Sequence, residues 1–329
     1  MIVSARHLLG TSLPPSDFET MLADVREGLQ RTPKRLSSKY FYDAEGSALF
    51  EEICAQPEYY LTGAELSIMR EHAAAIAAVL GPSVLLIEYG SGSGLKTQLL
   101  LEQLSAPVAY VPVEISQVAL RDSVERLGKI FPQIEILPLC ADFTQRITTP
   151  RSTMQPQRRV IYFPGSTLGN FEAHEALALL SKMRDEMGEH GAALIGIDLK
   201  KDSAVIEAAY NDAAGVTAAF TLNMLAHFNR ELGADFDLAQ FNHRARYNCM
   251  AGRIETHIVS RRAQTVRIAD RPFNFAADEA MLVEYSCKYS LDDFARLAAR
   301  AGLRVKNIWM DAQQQFSLQY LERAEALDG

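Results

Sequence analysis

Residues 87–97, IEYGSGSGLKT, lead from an apolar run into a glycine-rich turn and then into a segment of helical composition. The apolar run begins at Ser83 (SVLLIE), and the segment after the turn reads KTQLLLEQL. A buried strand, a glycine turn and a helix in this order are typical of the first unit of a parallel α/β sheet, in which the turn often contacts a ligand. The stretch therefore predicts the fold class and raises the question of which ligand the turn binds.

The spacing of the glycines within residues 90–94 limits the choice of ligand. A dinucleotide-binding turn has the pattern G-x-G-x-x-G, but these glycines alternate and Leu95 stands where the last glycine belongs. A Walker A phosphate loop does not match either, although Lys96-Thr97 resembles its ending. What remains is E-x-G-x-G-x-G after a first strand, which resembles the S-adenosylmethionine turn of the seven-stranded methyltransferases.

Apolar runs alternate with helical segments over most of the chain. Before the first run, Thr62 and Glu65 form a capping-box pattern that predicts a helix ending at Gly81-Pro82. The predicted strands are SVLLIE (83–88), VAYVPVE (108–114), IEILPL (134–139), RVIYF (159–163), AALIGID (192–198), LRVKNIWM (303–310) and FSLQYL (316–321). Strands that alternate with helices and are apolar on both faces indicate a parallel sheet covered on both sides. We therefore predict a doubly wound α/β fold, and the resemblance of the glycine turn implies a seven-stranded Rossmann-like core of the class I methyltransferase type.

The alternation stops after Asp198, and a different pattern occupies residues 201–286. A helical stretch there is followed by RARYNCM and RIETHIVS, which flank an Ala251-Gly252 turn and predict a hairpin. We predict that this insertion packs with the N-terminal segment as a second, discontinuous α+β domain that binds the substrate, and that a ligand lies in the crevice between the two domains. The predicted boundaries are 61–200 and 287–329 for the core, and 1–60 and 201–286 for the second domain.

Composition argues against two classes of partner. The chain has 329 residues and a net charge of −8, and its basic residues are scattered, so nucleic acid is not a predicted partner. No window reaches the roughly 18 apolar residues of a membrane span, and the N-terminal segment lacks a signal-sequence pattern. We expect no membrane association and a cytoplasmic protein. The oligomeric state is left open, with a monomer as the working expectation.

No metal site is predicted from the cysteines or histidines. The four cysteines lie far apart without a C-x-x-C pair, so we interpret them as ordinary buried thiols. The histidines of the inserted segment lack metal-ligand spacing and are interpreted as structural. These residues are Cys54, Cys140, Cys249 and Cys287, and His227, His243 and His257.

Acidic and aromatic residues follow the next two predicted strands. Glu114 ends the second strand, and Asp142-Phe143 come just past the third. The carboxyl ends of parallel strands lie at one edge of the sheet, where ligands of this fold bind. Glycines let the backbone approach a ligand, a carboxylate at a strand end can accept both ribose hydroxyl protons, and an acid next to an aromatic ring can bind and cover an adenine. We therefore predict S-adenosylmethionine as the methyl donor and S-adenosylhomocysteine as its product.

Six longer stretches carry a more specific resemblance. They are YFYDAEGSALFEEICAQPEYYLT (40–62), EYGSGSGLKT (88–97), PGSTLGNF (164–171), IDLKKD (197–202), AAYNDAAGVTAAFTLNMLAHFNRELGADFD (208–237) and VEYSCKYS (283–290). They resemble the bacterial histidine Nα-methyltransferases of ergothioneine biosynthesis, and the resemblance covers nearly the whole chain. It implies a methyltransferase core with a separate amino-acid-binding domain, and trimethylation of the α-amino group of L-histidine to hercynine with S-adenosylmethionine.

The resemblance also implies a role for individual residues. The residues that it places on the methyl donor are Gly90, Gly92, Lys96, Glu114, Asp142 and Phe143. It implies that Asn170 and Tyr210 hold the α-carboxylate and orient the amine, with Tyr42 and the Gly165 carbonyl beside the amine. The residues that it implies around the imidazole are Tyr59, Thr256, Glu284 and Ser286. Tyr42, Asn170 and Tyr210 are the catalytic candidates, and Tyr42 is our candidate for the group that accepts the amine proton.

Other interpretations of these residues remain open at this level. Asn170 can be the N-cap of the following helix, Tyr59 can be a packing tyrosine, and Lys288 can be the ionic partner of Glu284. Thr256 stands where the mycobacterial type of the family carries methionine, so methyltransferases acting on tryptophan derivatives are the nearest rival. A catalytically silent binding protein on the same fold and a nicotinamide-dependent oxidoreductase are the other rivals, and the glycine spacing disfavours the second.

Overall fold

The computed structural model describes residues 16–92 and 94–324. The helices in this part of the chain are α1 (Ser16–Gln30), α2 (Ala44–Cys54), α3 (Tyr60–Leu80), α4 (Leu95–Leu101), α5 (Gln117–Ile130), α6 (Ala173–Met187), α7 (Ser203–Ala208), α8 (Val216–Leu232) and α9 (Leu291–Arg300). The strands are β1 (Val84–Tyr89), β2 (Ala109–Glu114), β3 (Glu135–Ile136), β4 (Leu139–Cys140), β5 (Arg158–Phe163), β6 (Ala192–Asp198), β7 (Phe241–Asn248), β8 (Arg253–Ser260), β9 (Gln264–Ile268), β10 (Arg271–Phe275), β11 (Ala280–Cys287), β12 (Leu303–Met310) and β13 (Phe316–Arg323).

The main sheet has the order β12-β13-β6-β5-β1-β2, followed by β3 and β4, which both pair with β2. Because β3 and β4 are two pieces of one interrupted strand, the sheet has seven strand positions. Strand β13 is antiparallel to both of its neighbours, while β1, β2, β5 and β6 pair in parallel. This is the strand order of a class I methyltransferase core, and the fold prediction is confirmed.

Burial on both faces explains why the central strands are apolar throughout. Every residue of β1 (VLLIEY) and β2 (AYVPVE) is buried. Side chains that alternate along β1 enter two separate hydrophobic clusters, one with α6 and α9 and the other with α3 and α5. Helices on both faces leave the carboxyl ends of the strands as the open edge, where the turns after β1, β2 and β4 meet.

The third predicted strand differs from the prediction. We expected one strand over 134–139, whereas the chain forms the two short strands β3 and β4 on either side of Leu137-Pro138. Proline has no N–H to donate to a neighbouring strand, so the ladder is interrupted at Pro138. The Leu137 N–H still donates to the Tyr110 carbonyl at 2.8 Å, which keeps the segment on β2.

The insertion forms a sheet of its own. Strands β7 and β8 pair antiparallel around the turn at Ala251-Gly252, which confirms the predicted hairpin, and β11 adds on the other side of β8. A second, two-stranded sheet consists of β9 and β10. The segment VEYSCKYS therefore contributes most of its residues to β11, which lies at one end of this three-stranded sheet.

The N-terminal segment shares a hydrophobic cluster with the insertion. Phe41 and Ile53 pack in one cluster with Phe228, Ile268 and Val283, and all five are almost fully buried. This cluster is separate from the two that flank the main sheet. The packing supports the predicted two-domain division, which remains a prediction. Residues 1–15 and 325–329 of the predicted ranges lie outside the described residues.

The structure bears on two expectations from the sequence, which concern membrane-spanning segments and the burial of the cysteines. In the described part of the chain, no helix has both the length and the apolar composition needed to cross a membrane. The interpretation of all cysteines as buried thiols is wrong for Cys140 and Cys249, which are exposed, whereas Cys54 and Cys287 are partly buried. Cys249 directly follows β7 in the hairpin turn and Cys140 ends the short strand β4, so neither position lies in a core.

Candidate active site

The predicted methyl-donor residues lie together along one cleft. The cleft has a volume of about 1440 Å³ and lies at the carboxyl edge of β1, β2 and β4. The predicted residues that line it are Gly90, Gly92, Lys96, Glu114, Asp142 and Phe143. The cleft exceeds the roughly 300–1,000 Å³ of an ordinary small-molecule pocket, so it has room for a nucleoside-sized ligand and for a second ligand at its end.

The glycine turn bends back toward the end of β2. Gly90 and Gly92 have positive φ angles of 72° and 46°, a region that side chains other than glycine rarely adopt. The Gly90 N–H donates to the Val113 carbonyl at 2.9 Å, and the Gly92 N–H donates to Glu114 Oε2 at 3.1 Å. The glycines therefore let the backbone lie against the strand end that carries the predicted ribose-binding acid.

The Glu114 carboxylate is held by backbone amides. Its Oε1 accepts the N–H groups of Ile115 at 2.8 Å and Ser116 at 3.0 Å, while Oε2 accepts that of Gly92. A carboxylate oxygen has two acceptor positions, so Oε1 is saturated and Oε2 keeps one position toward the cleft. The site therefore fits one strong hydrogen bond from a ligand hydroxyl rather than two bonds to separate oxygens.

Asp142 and Phe143 are fixed by different neighbours. Asp142 Oδ1 accepts the Thr144 N–H at 2.8 Å and the Thr144 hydroxyl, so this oxygen also caps its own turn. The Phe143 ring stacks on Tyr89 with centroids 5.4 Å apart and an angle of 11°, and it meets Phe163 edge to face. The ring is therefore part of an aromatic wall of the cleft.

Glu88, the acid of the glycine motif, has a structural environment. It is 1% exposed and accepts hydrogen bonds from Thr97 at 2.6 and 2.7 Å and from Tyr110. Burial raises the pKa of Glu88 to about 8, although the Thr97 and Tyr110 hydroxyls oppose this shift. Glu88 on β1 therefore connects the start of α4 to β2 through its hydrogen bonds with Thr97 and Tyr110.

Lys96 does not project freely into the cleft, because its ammonium binds the Glu65 carboxylate. The capping-box prediction for Thr62 and Glu65 is wrong: α3 begins at Tyr60, and Glu65 lies in its interior with 0% exposure. Glu65 Oε2 also accepts the Gly165 N–H at 2.9 Å. Burial alone would lower the pKa of Lys96, but the Glu65 charge outweighs it and holds the pKa above its usual value.

The predicted amino-acid residues lie around a second, smaller cavity. Predicted residues that line it are Tyr42, Tyr59, Gly165, Asn170, Tyr210, Thr256, Glu284 and Ser286. Tyr42, Tyr59, Gly165 and Asn170 line the methyl-donor cleft as well. The two cavities are therefore neighbours across these residues, which is the arrangement that a transfer between two bound ligands requires.

Tyr210 and Ser286 belong to a buried polar network. The Tyr210 hydroxyl and Ser286 Oγ are 2.7 Å apart, and Lys288 Nζ donates to both at 2.8 Å. Lys288 is paired with Asp198 Oδ2 at 2.6 Å, and both side chains have 0% exposure. The interpretation of Lys288 as a direct partner of Glu284 is wrong, since the ammonium points at this network instead.

Glu284 has no hydrogen-bonding partner among the described residues. It pairs in register with Thr256 on the neighbouring strand β8, next to a bulge in β11. Burial raises the pKa of Glu284 to about 7, and the charge of Lys288 opposes the shift. The Thr256 hydroxyl is buried and also lacks a partner in the described part of the chain. The wall therefore carries a buried hydroxyl and a partly exposed carboxylate that have no hydrogen-bonding partner among the described residues and that a polar ligand can bind.

The remaining predicted residues form the wall between the cavities. Tyr42 contacts Phe220 edge to face, and the rings of Tyr59 and Tyr210 have centroids 6.3 Å apart. Burial raises the pKa of Tyr42, and the Glu284 and Glu114 carboxylates add to the shift, so its hydroxyl is neutral. The N-cap interpretation of Asn170 is wrong because Glu172 is the N-cap of α6.

Sequence reasoning missed three residues of the site, namely Glu65, Asp198 and Lys288. Lys288 had a usable signal, since it follows Glu284 and Ser286 at the two-residue period of a strand and therefore lies on the same face. Asp198 ends β6 and had the weaker signal of an acid at a strand end. Glu65 had no signal of its own, because its partners come from distant parts of the chain.

The described residues contain no cluster of cysteine, histidine or acidic side chains able to hold a metal ion. His243 bonds to the Thr221 hydroxyl at 3.0 Å and to the Tyr210 carbonyl at 2.9 Å. Burial lowers the pKa of His243, so the ring is neutral. It supports the backbone of Tyr210 from behind the cavity.

Comparison with known proteins gives a consistent result. The model of a family described as histidine-specific, S-adenosylmethionine-dependent methyltransferases matches residues 21–323. A histidine N-alpha-methyltransferase of Mycolicibacterium smegmatis is 41% identical over 308 residues, which cover 92% of this chain and 95% of that protein. The protein of the same name from Mycobacterium tuberculosis is 38% identical over 301 residues, covering 90% and 92%. Ergothioneine biosynthesis protein 1 of Neurospora crassa is 29% identical over 300 residues, covering 84% of this chain and 32% of that protein.

Proposed function

The chain belongs to the family of histidine-specific, S-adenosylmethionine-dependent methyltransferases, and on that premise we propose that it methylates the α-nitrogen of L-histidine three times. The product is Nα,Nα,Nα-trimethylhistidine (hercynine), a step of ergothioneine biosynthesis. The observation that carries the proposal is that the amino-acid cavity and the methyl-donor cleft share Tyr42, Gly165 and Asn170. A ligand amine at these residues would face the donor methyl group.

The cleft fits S-adenosylmethionine by its own geometry. Glu114 Oε2 keeps one acceptor position for a ribose hydroxyl, and the glycine turn leaves backbone in reach of a ligand. The aromatic wall at Phe143 and the Asp142 carboxylate suit an adenine ring and its amino group. Lys96 lines the cleft while its ammonium binds Glu65, so in our proposal it contributes to donor binding as one half of an ion pair. When bound, S-adenosylmethionine supplies an activated methyl group on a sulfonium sulfur.

Positioning is the main contribution of the protein to the transfer. Alignment of two reactants can supply on the order of 7–11 kcal/mol of the barrier. In our proposal Tyr210 and Asn170 hold the α-carboxylate, and the Gly165 carbonyl and Tyr42 receive hydrogen bonds from the amine. The Gly165 carbonyl is placed by the turn whose N–H binds the buried Glu65, so it is part of a rigid element.

The amine must be neutral to react. An α-amino group with a pKa near 7.7–8.0 is mostly protonated at pH 7, which leaves roughly a tenth in the reactive form. Because the pKa of Tyr42 is raised, its hydroxyl carries its own proton and cannot take another as a strong base. We therefore assign Tyr42 the acceptance of a hydrogen bond that orients the lone pair while the amine still carries an N–H, with one proton leaving to solvent before each of the three transfers.

Selectivity for histidine follows from the polar wall of the cavity. Glu284 and Ser286 lie two residues apart on β11, and the Glu284 carboxylate lacks a partner among the described residues. An imidazole ring can donate an N–H to the Glu284 carboxylate and also has a second nitrogen for the Ser286 hydroxyl, whereas a phenyl ring leaves the carboxylate without a partner at a cost of roughly 1–3 kcal/mol. Tyr59 packs its ring against Tyr210 at the side of the same cavity.

An N-methyltransferase for tryptophan or a derivative is the alternative function. Thr256 favours it, because a small side chain at this wall enlarges the space for a ring. The presence of both Glu284 and Ser286 favours histidine, since an indole has one N–H and no acceptor nitrogen. A cytoplasmic location and a monomeric state complete the proposal as expectations.

The proposal is tested by product and stoichiometry. The purified protein is incubated with S-adenosylmethionine and L-histidine, and both products are followed by mass spectrometry. We expect the trimethylated amino acid together with three equivalents of S-adenosylhomocysteine. Absence of methyl transfer to L-histidine under saturating donor would refute the proposal.

A further inference from the structure

Lys288 occupies a position in the network that the proposed reaction does not yet use. Its side chain is fully buried just past the end of β11, within hydrogen-bonding distance of Ser286, and it is paired with Asp198 at the end of β6. An ammonium has three hydrogens to donate and no acceptor. Each hydrogen has a partner here: Asp198 Oδ2 at 2.6 Å, and Tyr210 and Ser286 at 2.8 Å. Lys288 is therefore saturated and cannot bind a ligand itself.

The saturation of Lys288 limits what its two hydroxyl partners can do. Tyr210 and Ser286 each accept from Lys288, and they also share a hydrogen bond of 2.7 Å. Of their two hydroxyl hydrogens, one lies between the two oxygens. One hydrogen is left for a ligand, and the direction of the shared bond decides which oxygen donates it.

We propose that Lys288 is a positioning residue that joins Tyr210 and Ser286 into one unit with a single proton to donate, and thereby couples recognition of the α-carboxylate to recognition of the side chain. The inference rests on the proposed function, because it takes the α-carboxylate to lie at Tyr210 and the imidazole at Ser286. It adds a residue that touches neither ligand.

The charge of the ligand decides the direction of the shared bond. Hydrogen bonds to a carboxylate are stronger than those to a neutral nitrogen, so Tyr210 gives its proton to the α-carboxylate. Ser286 then donates to Tyr210 and faces the imidazole as an acceptor of a ring N–H. A ligand without a carboxylate removes this preference, and the shared bond is then free to run the other way.

The chain offers a matched control in Lys201. Lys201 binds the other oxygen of Asp198 and the Tyr60 hydroxyl, and it has no contact with Tyr210 or Ser286 among the hydrogen bonds of the described residues. Asp198 also accepts from Tyr60 at 2.9 and 3.0 Å. Replacement of either lysine therefore leaves Asp198 with other partners, and both variants are expected to fold.

The test compares Lys288→Met with Lys201→Met by calorimetric binding of L-histidine and of histamine, which lacks the carboxylate, in the presence of S-adenosylhomocysteine. We expect Lys288→Met to weaken L-histidine binding about tenfold or more, the loss of a charged hydrogen bond. Histamine binding should change less than about threefold, so that the preference for the carboxylate falls about tenfold. Lys201→Met should keep the wild-type preference within about twofold.

The inference would be overturned if Lys288→Met lost affinity for both ligands equally, or if Lys201→Met showed the same fall in preference for L-histidine over histamine. If Lys288→Met does not fold, the double variant Asp198→Asn/Lys288→Met removes both charges of the buried pair. The ratio of its affinities for L-histidine and histamine then decides in the same way. The proposed function is judged separately by methyl transfer in the wild-type protein. An active wild type with an unchanged ratio in the variants refutes the role of Lys288 alone.

Discussion

The Glu65 carboxylate accepts the backbone N–H of Gly165 at 2.9 Å, although the two residues are separated by 100 positions in the chain. Glu65 lies inside α3, and Gly165 belongs to the turn after β5. The same carboxylate binds the Lys96 ammonium next to the glycine turn. One buried acid thus connects the methyl-donor side of the site to the backbone that we assign to the substrate amine.

Replacement of Glu65 by glutamine should destabilise the protein. The amide can still accept the Gly165 N–H, but it leaves the Lys96 ammonium without its ionic partner. We expect the free energy of unfolding to fall by about 1–3 kcal/mol in urea titrations. Glu71→Gln is the control, because Glu71 is an exposed residue of the same helix. Equal stability of the two variants would contradict the connecting role of Glu65.

Glu284 should make stability depend on pH in a defined window. Burial raises the pKa of Glu284 from an ordinary 4.5 to about 7. Between these values the unfolded chain has lost a proton that the folded chain keeps, so the free energy of unfolding falls as the pH rises. Relative to Glu284→Gln, the wild type should lose stability from about pH 4.5 to about pH 7 and stay level above it. If the difference in urea midpoint between the wild type and Glu284→Gln did not vary with pH, the buried environment of Glu284 would be refuted.

Glu284→Ala should lower the selectivity for histidine over tryptophan. Its removal enlarges the cavity and leaves the Ser286 and Thr256 hydroxyls as polar groups of that wall, which costs histidine its hydrogen bond to a carboxylate. The ratio of kcat/KM for the two amino acids should fall about tenfold or more. Glu255→Ala on the neighbouring strand β8 is the control, because Glu255 pairs with Arg253 outside the cavity. An unchanged ratio would count against Glu284 as the imidazole-binding group.

Tyr42→Phe should lower turnover without moving the pH profile. The hydroxyl is neutral because burial and nearby carboxylates raise its pKa, so it does not titrate in the working range. Loss of one orienting hydrogen bond should reduce kcat by about tenfold. The measurement is kcat for L-histidine between pH 6 and 9. A variant with unchanged turnover throughout would remove Tyr42 from the mechanism, and a shifted profile would make it a proton acceptor instead.

Local patterns explain why the methyl-donor side was predictable. The glycine turn and Glu114 lie at the ends of the buried strands β1 and β2, Asp142-Phe143 follow the short strand β4, and parallel strands bring their carboxyl ends to one edge. The amino-acid side needed the family resemblance, because Tyr42, Asn170 and Glu284 come from unconnected segments. Their gathering around one cavity is a tertiary property that no period in the sequence expresses.

The misses at Glu65 and Lys288 have the same tertiary origin, whereas the miss at Pro138 is local. Glu65 matched a capping box, yet its carboxylate turns toward Lys96 and Gly165 because it is buried beside them. Lys288 was paired with Glu284 by proximity in sequence, whereas β6 brings Asp198 closer. Pro138 interrupts the third strand by its missing N–H, a local signal that the apolar pattern of that stretch outweighed.

The most direct test of the central claim is a substrate panel. The purified protein is incubated with methyl-labelled S-adenosylmethionine and each of the twenty amino acids in turn, and the labelled products are identified by mass and fragmentation. We predict that L-histidine is the preferred acceptor and that all label is on its α-nitrogen. Label on another amino acid in preference to histidine, on the imidazole ring, or on none of the twenty would contradict the account.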